Sequence, residues 1–424
     1  MKKAKTELLN GEGISKVLTV TSLGNVYEAT PEELGDAQIP SASIGAMVTN
    51  FTLEESSNPA FTLNNRGAAE LYQAQMGGYM FLIKNGTIYA AKLNGGNWNF
   101  FADGTPVSNA ALYETMVHVP DCHFKGEGKH LNFGGLTPID SGKVFDSPHW
   151  VGAYKMYVDS SGKGHSRPDV APSHSKTMTV FGNHARNLGS QWGLANYGFQ
   201  CLIEALFQAR YGNLDSQEVI GAGFQCVTNG LRWDALRDVP MGLLRSLGDG
   251  SGKVLYTDSH NDNQYPVKLF GFEDLWGKLW EFRPGIRFYM DGATRMALVY
   301  KGNLISNTVS KTDKAFSHSF ECAVQSASGA YIRSMQCGEH WDMIPQNVSG
   351  AGSKSYYCDG YWAATGGELL IVGGHADSGA MCGLACAVSD SAFSSSRTHL
   401  GARLAFFGEP KIVSGAELEQ LAAS

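Results

Sequence analysis

The chain has 424 residues, a formal net charge of −7, and 43% hydrophobic against 17% charged residues. That length and apolar content allow two or three domains around a sizeable core and exclude a disordered chain. The acidic balance, with no basic cluster, excludes a nucleic-acid partner, and no run approaches the roughly 18 apolar residues of a membrane span.

The 51 glycines and the 11% aromatic content favour tight turns and short strands over long helices. The opening "MKKAKTELLNGEG" carries positive charges with no apolar run behind them. No secretory leader is therefore expected, and synthesis in a cytoplasm is. Thr30, Pro31 and Glu33 form a capping-box start and predict a brief helix at Pro31–Leu34. From Tyr79 the pattern turns to β, with Asn85-Gly86, Gly95-Gly96 and Asp103-Gly104 as hairpin-type dipeptides about ten residues apart. These runs predict a β-rich N-terminal module over 1–115, followed by a larger domain over 116–424. Within the latter, Gly193–Asn213 is the strongest helical segment. Leu202, Ala205, Leu206 and Ala209 recur at helical spacing, and Gly212-Asn213 supply a stop. Short apolar runs such as "GIRFYMDG", "MALVYKGN" and "LLIVGG" complete an α+β pattern.

Chemistry-bearing motifs are sparse. "GDGSGK" at Gly248–Lys253 has the wrong spacing for a phosphate loop and ends in Val254 where Ser or Thr belongs, so it is read as a turn. "YTDSHNDNQY" lacks the Gly and terminal Glu of a calcium loop and is read as a solvated loop. His118, Cys122, His123 and His130 fit no standard zinc spacing. Cys382 and Cys386 are one residue too far apart for a redox pair, and the eight cysteines are read as reduced and mostly buried. No metal, cofactor or catalytic residue is predicted.

The most specific stretch is "GGHADSGAMCGLACAVSDSAFSSSRTHLGAR", Gly373–Arg403. Its Gly373-Gly374-His375 opening and His399-Leu400-Gly401-Ala402-Arg403 close resemble the C-terminal segment of phage tropism determinants and other variable proteins served by diversity-generating retroelements. "FEDLWGKLWEFRPGI" (Phe272–Ile286), "YGNLDSQEVIGAG" (Tyr211–Gly223) and "SYYCDGYW" (Ser355–Trp362) are similar to other recurring elements of such proteins. The resemblance covers residues 118–408 and is loose over 1–110. It implies a C-terminal C-type-lectin-like domain, of the same fold as the formylglycine-generating enzyme, after a small β-rich module. A variable ligand-binding segment would span about 357–403.

In that family, variation arises at Asn codons of the AAC type, whose randomised first two bases leave a C-ending codon. Such codons encode Ser, Asp, His, Arg, Ala, Val, Gly or Tyr, and never Lys, Glu, Gln, Met or Trp. The corresponding positions here are His375, Asp377, Ser378, Val388, Asp390, Ser391, Ser395, Arg397 and His399, all permitted residues. Ala376 joins them as a candidate ligand contact, Tyr361 and Trp362 are candidate aromatic anchors, and Met381 is a departure. The implied function is receptor binding on a phage or prophage tail tip or fibre, without enzymatic activity. Partners would be a bacterial surface protein or glycan and other tail proteins, and the implied assembly is a homotrimer. A retroelement-diversified protein on a bacterial surface is the alternative, disfavoured by the missing leader. The oxidases of this fold are disfavoured because Met381 stands at one catalytic cysteine position and the other is also not Cys. The Glu-Pro-Asn or Gln-Pro-Asp of calcium-dependent sugar binders is absent.

Overall fold

The computed structural model describes residues 17–20, 26–29, 48–226, 233–302, 305 and 310–424. The helix expected at Pro31–Leu34 lies outside the described residues. The fold is mixed α and β, mostly strands with few helices. Two large sheets position everything that follows. Their strands, in chain order, are β1 (Gly77–Lys84), β2 (Thr87–Lys92), β3 (Glu114–His118), β4 (Trp150–Lys155), β5 (Trp192–Leu194), β6 (Trp280–Arg283), β7 (Ala327–Tyr331), β8 (Gly360–Ala363), β9 (Leu370–Val372), β10 (Ala387–Ser389), β11 (Leu400–Gly401), β12 (Arg403–Phe406) and β13 (Lys411–Ile412). The seven-stranded sheet runs β5-β12-β4-β3-β1-β2-β13, and the six-stranded sheet β7-β8-β10-β9-β6-β11. The division expected at 115/116 falls within β3, so strands from both sides of it share one sheet.

Local sequence chemistry explains the parts that were foreseen. Asn85 and Gly86, both at positive φ (51° and 77°), make the tight turn that pairs Lys84 with Thr87. After Gly95-Gly96 the expected meander stops being regular, and only single bridges such as Leu93–Phe101 continue it. The helical segment divides: Trp192–Leu194 is extended as β5, and helix α1 is Tyr197–Tyr211. Asn196 caps it by accepting from the Phe199 N–H at 3.0 Å, and Gly212 ends it in the left-handed conformation. The helix is buried on all sides, including its polar row Gln200, Glu204 and Gln208. Gln200 accepts from Arg283 Nε and donates to the Leu384 carbonyl, so this row holds up the segment above it. Burial pushes the Glu204 carboxyl up to about 8, which keeps it protonated at neutral pH.

One core cluster takes Phe81, Trp150, Trp192, Leu404 and Phe406 from the first sheet and Trp280, Phe282, Ile371 and Leu400 from the second. A charged knot sits beside it. Glu281 on β6 accepts from Arg403 Nη2 of β12 at 2.6 Å, Lys155 Nζ of β4 at 2.6 Å and Arg283 Nη1 at 2.7 Å, with all four side chains fully buried. Arg403 also donates to the carbonyls of Gly152, Ala153 and Glu273. Burial alone would raise the Glu281 carboxyl, but the three cations hold it well below the usual range. Lys155 is pushed by burial down to about 8, against the pull of Glu281.

Removing Glu281 leaves three cations without their shared carboxylate in a dry interior. Glu281→Gln is expected to lower stability by about 3–5 kcal/mol, seen as a large drop in the urea midpoint. An unchanged midpoint would show that the knot does not hold the sheets together.

Candidate functional site

Strand alternation builds one face of the six-stranded sheet. Trp362 on β8 is level with Val388 on β10, Val388 with Ile371 on β9, Ile371 with Phe282 on β6, and Trp280 with Leu400 on β11. Trp280 and Phe282, two apart on β6, point the same way. Together with the loops above it, this face encloses a cavity of about 260 Å³. Its floor is Trp280, Trp362, Ile371 and Leu400. Around them stand His375, Asp377, Ser378, Val388, Asp390, Ser391, Arg397 and His399. Eight of the ten residues expected to vary thus meet at one site, from three separate pieces of the segment.

The segment is held by residues that have no freedom. Gly373 and Gly374 both take left-handed backbone (φ 90° and 73°), and a Cβ would drive them into the Leu275 carbonyl and the Cys382 sulfur. Gly383, at φ 152°, lies against the buried carboxylate of Asp359, whose Oδ2 accepts the Ala385 N–H at 2.9 Å. Burial pushes Asp359 well above the usual carboxylate range. From His375 the chain makes a short 3₁₀ turn, Ala376–Met381. Ser378 Oγ accepts the His375 N–H at 3.2 Å and donates to His375 Nδ1 at 2.9 Å. Trp280 Nε1–H donates to the same Nδ1 at 3.0 Å. Indole nitrogen can only donate, so Nδ1 is the acceptor and Nε2 carries the proton. The His375 ring leans on His399 at 4.8 Å, and Trp280 meets Trp362 edge-on at 5.8 Å. Burial, then the neighbouring His399, pushes His375 down to about 4; burial, then Arg397, lowers His399 too. Both imidazoles are neutral at pH 7, leaving Asp377, Asp390 and Arg397 as the charges of the rim.

Three expected contacts are corrected. Tyr361 is fully buried, because its neighbour Trp362 takes the ligand side of β8 and alternation sends Tyr361 to the other; its hydroxyl meets Ser389 Oγ at 2.5 Å. Ala376 is fully buried and packs with Phe224, Leu236 and Val239. Ser395 lies in a turn closed by its N–H on the Ala392 carbonyl and does not line the cavity. Trp280 and Ile371 were missed. The period-two pattern of "LWEFR" carried the signal for Trp280, which needed only the knowledge of which face was outward.

Elsewhere the motifs resolve into structure. Asp249 of "GDGSGK" accepts from the Gly78 N–H and Trp98 Nε1, tying that loop to β1. Asp258 closes its own hairpin by accepting from the His260 and Asp262 N–H groups and from Gln264. Cys122 is fully buried, and His130 contacts Thr52 Oγ1 at 3.0 Å. Among the described residues no three His, Cys, Asp or Glu side chains are placed to hold a metal ion. Cys382 and Cys386 are fully buried, and burial pushes the Cys382 thiol up to about 12 and Cys386 well above its usual value. A larger cavity of about 350 Å³ lies away from the expected residues. There Asp342 holds Tyr197 at 3.0 Å and His318 at 2.8 Å, and His318 stacks on His340 at 3.6 Å. Among the described residues no helix is long and apolar enough to cross a membrane.

The His375 arrangement has a pH consequence. The unfolded chain takes up a proton near pH 6.5, which the folded site refuses until about pH 4. Stability is therefore complete above pH 6.5 and falls as pH drops through that window. Imidazole nitrogen shifts measured by NMR should show His375 as the neutral Nε2–H form at pH 5.5; a protonated ring at that pH would overturn the assignment.

Comparison with models of known protein families gives no match, and comparison with curated proteins gives none either.

Proposed function

We propose that this chain is a receptor-binding protein of a phage or prophage tail, carrying a C-type-lectin-like domain whose ligand face is diversified by a retroelement. The observation that carries the reading is the convergence of eight codon-permitted positions on one cavity, above a frame that tolerates no change. Three further features support it. The helix expected at the core is buried on all sides. The Gly-Gly opening and the Arg403 close of the segment both have structural duties. The rim positions include exposed Asp377, Asp390 and Arg397, where substitutions cost little stability, usually within about 0.5 kcal/mol.

On this reading no bond is broken. A bacterial surface molecule is held by shape, by the Trp362 ring and by the rim, and several copies on one particle, as in a trimer, turn modest single-site affinity into firm attachment. Residues 1–115 would join the remaining tail proteins, with the protein located on the virion after synthesis in the host cytoplasm.

Exchanging residues 375–399 between natural variants is expected to change which bacterial cells the purified protein binds, while the urea midpoint moves by no more than about 1 kcal/mol equivalent. Unchanged cell preference after the exchange would refute the reading.

A further inference from the structure

Within the receptor-binding reading, on which this inference rests, we propose that the cavity of this chain takes one arginine side chain of a protein receptor. The first ground is a stacking platform. The Trp362 indole lies over two glycines, Gly360 on its own strand and Gly329 on the neighbouring β7. A Cβ at Gly329 would stand 2.8 Å from the indole nitrogen, and one at Gly360 3.0 Å from the far edge of the ring. Without those carbons the ring lies close on the sheet, with the Trp280 ring perpendicular to it at 89°, and it lines the cavity above. A flat group is what such a floor receives.

Charge is the second ground. Asp377 and Asp390 are exposed at the rim, and among the described residues Arg397 is the one cation lining the cavity, since His375 and His399 stay neutral at pH 7. The rim therefore carries one net negative charge. Asp390 is also oriented, with Oδ1 accepting from the Ser391 hydroxyl at 2.9 Å. A guanidinium is planar, weakly hydrated and permanently charged, so it stacks on indole and offers paired donors to a carboxylate at once. Lysine supplies the charge without the plane. A neutral sugar supplies a flat face and hydroxyl donors for the carboxylates, but no charge to balance theirs. Ile371, Val388 and Leu400 receive the methylene stem.

The test uses the full chain and titrates N-acetyl-arginine amide, N-acetyl-lysine amide and methyl pyranosides, read by tryptophan fluorescence and calorimetry. Saturable arginine-amide binding is expected, at least tenfold tighter than lysine amide and undetectable for the pyranosides. Asp377→Asn with Asp390→Asn should weaken it at least tenfold, as should Trp362→Ala. Because Trp362 is partly packed, the exposed Asp pair provides the variant that keeps its fold, checked by an unchanged melting curve. Pyranoside binding, or arginine-amide binding indifferent to the Asp pair, overturns the proposal. Adsorption of the same variants to bacteria separates the two levels. Adsorption lost in Trp362→Ala, with no arginine-amide binding by the parent, sinks the arginine assignment and leaves the receptor face standing. Arginine-amide binding lost while adsorption is unchanged keeps the arginine pocket and sinks the receptor reading.

Discussion

The buried carboxylate of Glu281 is the constraint on which the rest of the molecule depends. It joins β6 of one sheet to β4 and β12 of the other through Lys155 and Arg403, with Arg283 of its own strand beside it. The chain crosses between sheets in a single residue, Ala402, with β11 ending at Gly401 and β12 beginning at Arg403. Arg403 anchors that crossing by spending its donors on Glu281 and on three backbone carbonyls. Desolvating four charged groups is costly, and equal-sized apolar residues would often serve stability as well. What the knot supplies is position. It fixes the end of the 373–403 segment to within a hydrogen bond.

The other end is fixed by backbone shape. Gly373 and Gly374 turn left-handed where no Cβ fits, and Gly383 passes over the Asp359 carboxylate. Between these clamps, β10 lies as an inner strand, with Ala387 and Ser389 buried on one side and Val388 half-exposed on the other. The chain is thus divided residue by residue into those that carry the fold and those that face the cavity. Position 375 is the exception. Its imidazole is bonded to Trp280 and Ser378, so a change there alters the support of the floor as well as the rim.

Much of this was legible from residues alone, and the reasons for the remainder are physical. Asn85-Gly86 announces its own turn, and Gly212 its own helix stop, because each depends on a local φ that few residues accept. The rim positions were reached through the opening and closing motifs of the segment, and Trp362 through the resemblance of Ser355–Trp362. Tyr361 was misread because period-two alternation says that neighbours point apart without saying which is outward. Trp280 was overlooked for the same reason. The burial of Gln200, Glu204 and Gln208 is not legible in the sequence, since Gln200 finds its partners, Arg283 and Leu384, only in the assembled fold. The knot could not be foreseen at all: Lys155 and Arg403 are separated by most of the chain.

The central claim is that the residues around the cavity change while their frame does not. It is tested most directly by deep sequencing of the coding segment across a population. The account predicts substitutions concentrated at 375, 377, 378, 388, 390, 391, 395, 397 and 399, with Gly373, Gly374, Gly383 and Arg403 constant. Substitutions spread evenly over the segment, frame included, would contradict it.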